Sequence, residues 1–253
     1  MNNILDTYDS VSLDEMKRVR LMNRIDTKYV TTLPVLIVLL QEAKEAYRVQ
    51  STGGLSIMPY YTLYYDTVDS DMYREHLRGR KRRQKIRIRR YEASELSFLE
   101  VKNKNNKGRT EKIRIPFCAD DGTGLGRFIG EHSRYPWAEL SQRIENRFSR
   151  ITLVNRNFTE RLTIDTQIRF HNLVTESTCL LDGLVVIELK REGNTPSPIV
   201  EILRRLRVHP AKFSKYCMGM ALTDGRLEYN RFKPRLRMIG KMCGITEEVD
   251  FLT

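Results

Sequence analysis

The stretch KIRIRRYEASELSFLEVKNK, Lys85 to Lys104, alternates at period two and puts most of its charge on one side. In the first limb Lys85, Arg87, Arg89 and Tyr91 share a face opposite Ile86 and Ile88; in the second, Glu100 and Lys102 oppose Leu99 and Val101. Successive side chains of a strand point to opposite faces, so the two limbs read as the strands of a hairpin. The pattern recurs along the chain. Arg24, Asp26 and Lys28 alternate with Ile25 and Tyr29, Lys112 and Arg114 with Ile113 and Ile115, and Glu188 and Lys190 with Val185, Ile187 and Leu189. Asp165 and Arg169 share a face of TIDTQIRF. In one strand a charged face is ordinary solvated surface. Repeated over at least six, rich in Arg and Lys with isolated carboxylates and few Ser or Thr, it points to a second, polar interior. The expected class is α+β: an antiparallel β-barrel tunnel whose apolar exterior is covered by helices.

Such a lumen holds Arg24, Lys28, Lys85, Arg87, Arg89, Lys102, Lys112, Arg114, Arg169 and Lys190 against Asp26, Glu100, Asp165 and Glu188. Cations cannot be crowded into a low-dielectric interior without a compensating anion, so a ligand must supply one. A linear triphosphate or polyphosphate fits, because Arg forks onto phosphate oxygens and Lys acts as a point charge. The leftover carboxylates, Glu100 and Glu188 among them, suit a hard divalent cation, Mg²⁺ or Mn²⁺.

The rest of the chain is consistent with this reading. With 40% hydrophobic residues a core can form, and a net charge of +12 favours polyanionic partners without choosing among them. Cys118, Cys179, Cys217 and Cys243 form no Cys-x-x-Cys pair, which argues against a zinc site and for a reducing, cytoplasmic compartment. The opening MNNILDTYDS lacks a signal-peptide layout, and the apolar run Leu33 to Leu40 is far short of a membrane span, so it reads as the start of a buried helix. From Gly122 to Phe148 the spacing of Trp137, Leu140, Ile144 and Phe148 predicts helix; SPIVEILRRLRV and FSKYCMGMAL predict two closing helices. GTGLGRFIG has the wrong glycine spacing for a dinucleotide site, no phosphate-loop motif exists, and the histidines show no metal or triad spacing. RGRKRRQK reads equally as a nucleic-acid patch or a solvated turn. One domain over 1–253 is the simpler count, with a core at about 13–222 and a basic tail at 225–253.

RIDTKY, YYDT, KIRIRRY, FLEVKNKNNKGRTEKIRI, VVIELK and KFSKYCMG stand in the order and spacing of a known family. The sequence resembles the vacuolar transporter chaperone (VTC) polyphosphate-polymerase domain, of the CYTH-like triphosphate tunnel metalloenzymes, over roughly Leu13 to Leu222. The resemblance implies that Lys28, Arg87, Arg89, Lys102 and Lys112 contact phosphate. It matches Arg156 to a further phosphate-binding Arg, Glu188 to a metal-binding Glu, and Ser214 with Lys215 to a Ser-Lys pair opening the last helix; a helix N-terminus suits a phosphate in its own right. Arg24, Lys85, Arg114, Arg169 and Lys190 are expected to add to substrate binding. Asp26 stands where tunnel enzymes often carry Glu.

The implied activity is a metal-dependent transfer of the terminal phosphoryl of ATP to a polyphosphate chain, with nucleoside triphosphate and polyphosphate as partners and no specific nucleic acid. A tunnel-fold triphosphate hydrolase and a non-catalytic polyphosphate or nucleic-acid binding module are the alternatives. No regulatory SPX domain is expected before this domain and no membrane helices after it, so coupling to transport is expected to need a separate membrane-protein partner.

Overall fold

The computed structural model describes residues 1–19, 24–119, 121–193 and 195–244. The strands are β1 (Ser10–Val11), β2 (Arg24–Thr32), β3 (Tyr47–Gln50), β4 (Ile57–Thr67), β5 (Arg83–Tyr91), β6 (Leu96–Lys104), β7 (Thr110–Pro116), β8 (Leu140–Asn155), β9 (Glu160–Asn172), β10 (Thr178–Leu181) and β11 (Leu184–Glu192). The helices are α1 (Asn2–Leu5), α2 (Leu33–Ala43), α3 (Asp71–Leu77), α4 (Gly122–His132), α5 (Pro198–Arg205), α6 (Lys215–Thr223) and α7 (Lys233–Met242). One sheet runs in the order β2-β11-β9-β8-β4-β5-β6-β7, antiparallel along that path, with β10 on β9 and β3 bridging β8 to the parallel β1.

This is the expected antiparallel architecture, except that β2 and β7 are not hydrogen-bonded to each other among the described residues. The sheet is nonetheless strongly curled. Ala211 N–H donates to the Lys28 carbonyl of β2 at 2.8 Å, and Lys85 Nζ of β5 donates to Ser214 Oγ at 2.8 Å. Three residues of chain span at most about 11 Å, whereas five strand spacings in a flat sheet would separate β2 from β5 by about 24 Å.

The convex face is apolar and covered by helices, as the alternation demands. Ile151, Leu153, Leu162, Ile164, Val185, Ile187 and Leu189 pack with Leu36, Leu39 and Leu40 of α2 and Ile199, Ile202 and Leu203 of α5. Ile86, Ile88, Leu99 and Val101 share a second core with Leu125, Phe128 and Ile129 of α4. Pro34 sits in the first turn of α2, where its missing N–H has no helical partner to lose.

One helix breaks the pattern by entering the concave side. A Cβ on Gly219 of α6 would lie 2.6 Å from Ile144 Cδ1 and Phe170 Cδ1, so glycine is what allows this close approach. The helix fills one end of the concavity, and Tyr216 donates from its ring hydroxyl to the buried Asp66. Its first residues face the part that stays polar.

The segment expected to be helical from Gly122 to Phe148 is helical only over Gly122–His132; a 3₁₀ turn at Trp137–Glu139 leads into the long strand β8. The N-terminal segment makes a 3₁₀ turn at Glu15–Arg18, with residues 20–23 outside the described part. The basic tail contains α7, and residues 245–253 also lie outside the described part.

Candidate functional site

Strand register carries the charged residues into rows across the concave face. Tyr64, Arg87, Glu100 and Arg114 are successive cross-strand neighbours, and Lys85, Lys102 and Lys112 form the adjacent row. On the other half of the sheet Arg150 pairs with Asp165, and Thr163, Glu188 and Lys28 follow one another across β9, β11 and β2.

Three carboxylates on this face each hold a pair of cations. Glu100, 0% exposed, accepts from Arg87 Nε at 2.8 Å and Nη2 at 2.6 Å, and from Lys112 Nζ at 3.1 Å. Asp165 accepts from Arg150 Nε at 2.6 Å and Nη2 at 2.8 Å, and from Lys215. Glu188 lies 3.5 Å from Lys28 Nζ and 3.8 Å from Lys190 Nζ. Burial alone would raise the pKa of each, but the cations outweigh it: Arg87, Arg89 and Lys112 hold Glu100 at about 2, and Asp165 and Glu188 also sit well below the usual carboxylate range.

Further cations on the face have no carboxylate of their own among the described residues. Lys85 reaches the Ser214 hydroxyl; the side-chain hydrogen bonds of Arg89 are two long ones, 3.3 and 3.4 Å, to the Thr62 hydroxyl; Lys102 makes neither hydrogen bond nor ion pair with a described residue. Burial brings Arg89 down to about 10, helped by Arg87 and Arg150, and lowers Lys85 as well. Arg87, then burial and Arg89, push Lys102 far below its ordinary value. Lys215 falls to about 8, because burial and Arg150 outweigh Asp165. Even the buried Tyr64 hydroxyl is made more acidic, its burial overcome by Arg87, Arg89 and Lys85. The face thus carries a positive potential that an anion would relieve.

The structure brings Lys28, Lys85, Arg87, Arg89, Lys102, Lys112, Arg114, Lys190, Glu100 and Glu188 to this one face. Ser214 and Lys215 join them at the start of α6, where Ser214 Oγ caps the helix by accepting from Cys217 N–H at 3.2 Å. The Arg114 guanidinium lies over the Phe98 ring, 4.3 Å from its centroid. The Arg24 side chain lies outside the described part.

Two expected residues are placed elsewhere. Arg156 follows the end of β8 at the protein surface, donating from Nε to the Glu45 carbonyl at 2.6 Å and pairing with Asp9 at 2.9 Å. Six residues of strand, about 20 Å, separate it from Arg150. Arg169 pairs with Arg147, which pairs with Tyr61 on the convex side. A bulge in β9 opposite Arg147–Ser149, where Gln167 takes φ +52°, shifts the alternation, so Arg169 no longer shares a face with Asp165. Conversely, Arg150 occupies the centre of the site and was missed by sequence reasoning. Its signal is the run Phe148-Ser149-Arg150, which alternates as a strand. Glu100 is enclosed by Arg87 and Lys112 and serves as their internal counter-charge; Glu188, with 22% of its side chain exposed, is the more open carboxylate.

The sequence matches the profile of the VTC domain over residues 23–127 and 132–223. The chain belongs to the VTC domain family. The matched residues contain β2 through β11 and, of α2 through α6, all but residues 128–131 of α4, and so every element of the polar face. No curated protein matches the chain. Among solved structures, a Vibrio parahaemolyticus protein provisionally named an adenylate cyclase is 9% identical, with 79% of this chain and 99% of that chain covered and a TM-score of 0.46. A Hippeastrum protein described with a dominant triphosphatase activity is 16% identical, covering 78% and 95%, with a TM-score of 0.46. A Pyrococcus horikoshii protein is 13% identical, covering 77% and 97%, with a TM-score of 0.44.

No group of three or more His, Cys, Asp or Glu side chains able to cage a metal occurs among the described residues of this VTC domain. A hard divalent cation that keeps its waters and binds one carboxylate plus phosphate oxygens asks for less, and Glu188 meets that requirement. No helix among the described residues is long and apolar enough to cross a membrane.

Proposed function

We propose that this VTC domain is a metal-dependent polyphosphate polymerase, moving the terminal phosphoryl of a nucleoside triphosphate onto a polyphosphate chain. The observation that carries the reading is the charge imbalance of the concave face. Three carboxylates are each occupied by two cations, while Lys85, Arg89 and Lys102 have no carboxylate partner among the described residues and depressed proton affinities. A linear polyanion supplies the missing charge along a row of cations, as a compact monoanion would not.

Phosphoryl transfer needs mainly positioning and charge neutralisation, and the acceptor phosphate is itself the nucleophile. Arg87, Arg89 and Arg150, oriented by Glu100, Thr62 and Asp165, would fork onto phosphate oxygens. Lys102 and Lys85 would follow the chain as point charges, and Lys215 would hold it at the N-terminus of α6. Glu188 would hold a Mn²⁺ or Mg²⁺ ion, which supplies Lewis-acid neutralisation of phosphate charge when bound.

Incubation with ATP and Mn²⁺ or Mg²⁺, with products resolved by length on a gel, tests the reading. Long chains are expected. Orthophosphate alone would make the domain a hydrolase, and unchanged ATP would make it a binding module.

A further inference from the structure

One end of the concave face is aromatic where the rows beside it are charged. Register places Phe148, Tyr60 and Tyr91 in one row, with Leu96 next on β6, and puts Phe98 beside Arg89 in the row that follows. Tyr60 stacks on Phe148 at a centroid distance of 5.2 Å and meets Tyr91 edge-on at 5.1 Å; Tyr91 meets Phe98 edge-on at 6.0 Å. Phe148 is buried, whereas Tyr91 and Phe98 keep part of their surface and Leu96 is 56% exposed. These side chains extend a wall whose other members are mostly charged, so an apolar lip on it needs a reason.

Cations at this end sit on ring faces. Arg114 covers Phe98 at 4.3 Å, Arg150 lies 4.9 Å from the Tyr60 centroid and 5.1 Å from that of Phe148, and Arg89 lies within 5.8 Å of both. A planar guanidinium stacked on a ring leaves its edge donors free for phosphate or sugar oxygens. Moving two residues along a strand advances about 7 Å. The steps from Phe98 through the Arg87 and Glu100 row to the Lys85, Lys102 and Lys112 row therefore lead directly from the rings to Lys85 and Lys102, which pair with no carboxylate among the described residues.

We infer that Phe98 and Tyr91, with Arg114 stacked on Phe98, form the platform that receives the base of the nucleoside triphosphate, so that its phosphates run along Arg89 and Arg87 toward Lys102. This rests on the proposed function and adds the direction in which the donor enters. Because every base has a π face, the platform accepts any nucleoside triphosphate and favours nucleotides over base-free triphosphate.

The test compares binding of ATP and of inorganic tripolyphosphate, without metal, by calorimetry on the wild type, Phe98→Ala, Phe98→Leu and Tyr91→Ala. The Leu substitution keeps apolar bulk and removes the π face, which covers the case in which the Ala variant folds poorly. The expected result is a roughly five- to hundredfold loss of ATP affinity, the range for one stacked base, with tripolyphosphate affinity within about twofold of wild type. Equal losses for both ligands would mean that the rings only support the cations and would overturn the inference, as would ATP affinity unchanged in all three variants. A wild type that binds neither ligand would overturn the proposed function and this inference together, an outcome distinct from either of the others.

Discussion

Replacing Glu100 by Gln keeps the shape of the side chain and removes the charge that Arg87 and Lys112 share. Glu100 is 0% exposed and Arg87 donates to it twice. Breaking a buried pair by removing one partner costs about 3–5 kcal/mol. The Lys112 side chain is 40% exposed, so its share is small, about 0–1 kcal/mol. At about 2–4 °C per kcal/mol for a chain of this size, Tm should fall by roughly 6–20 °C. Tripolyphosphate should recover much of that loss. At a hundred times Kd a ligand adds about 2.7 kcal/mol, and the Gln variant, one negative charge poorer, should bind the anion more tightly and gain more than the wild type. The assay is thermal unfolding followed by circular dichroism, with and without tripolyphosphate and without metal. The same carboxylate sets an acid limit: its pKa is held at about 2 against an ordinary 4.5, so its stabilisation is present above about 4.5 and lost as pH falls toward about 2. A Glu100→Gln protein as stable as wild type, or one stabilised less by tripolyphosphate, would refute Glu100 as the counter-charge of the site.

Three further outcomes follow from the same geometry. Arg150→Ala should weaken tripolyphosphate binding by roughly ten- to a hundredfold, the worth of one charge-assisted contact, while Arg156→Ala should stay within about twofold, both read by calorimetric titration. Lys215 titrates at about 8, and burial also lowers Lys85; the unfolded chain therefore binds more protons between about 8 and the ordinary 10.5. Unliganded stability should rise with pH across that window in denaturant titrations, and saturating tripolyphosphate, which favours the charged lysines, should flatten or reverse the rise. Glu188→Gln should abolish turnover with Mg²⁺ or Mn²⁺ yet leave metal-free tripolyphosphate binding intact or stronger, measured by product formation and by titration side by side.

The charged walls were legible because β5, β6 and β11 obey period two without interruption, with Ile86, Ile88, Leu99, Val101, Ile187 and Leu189 all turned to the apolar cores. Arg150 was hidden by an ambiguity of spacing. Leu140, Ile144 and Phe148 are four apart, which fits one face of a helix and, being an even spacing, equally fits one face of a strand; the strand β8 is what forms. Arg169 was misplaced because a bulge at Gln167 reverses the alternation between Asp165 and Phe170, and a periodic pattern carries no sign of an inserted residue. Nor could alternation reveal that α6 enters the concavity: that depends on the missing Cβ of Gly219 against Ile144 and Phe170, a contact between segments far apart in sequence.

The most direct measurement is competition for a labelled ATP analogue by long-chain polyphosphate, tripolyphosphate and duplex DNA at equal phosphate concentration. A concave face lined by Arg89, Lys85 and Lys102 should yield the analogue to both linear phosphates and not to a duplex, which is too broad to enter, and Lys102→Ala should weaken both linear competitors. Duplex DNA competing as well as polyphosphate, with Lys102→Ala indistinguishable from wild type, would contradict the account and move the binding site to the exposed basic turn at Arg80, Lys81 and Arg82.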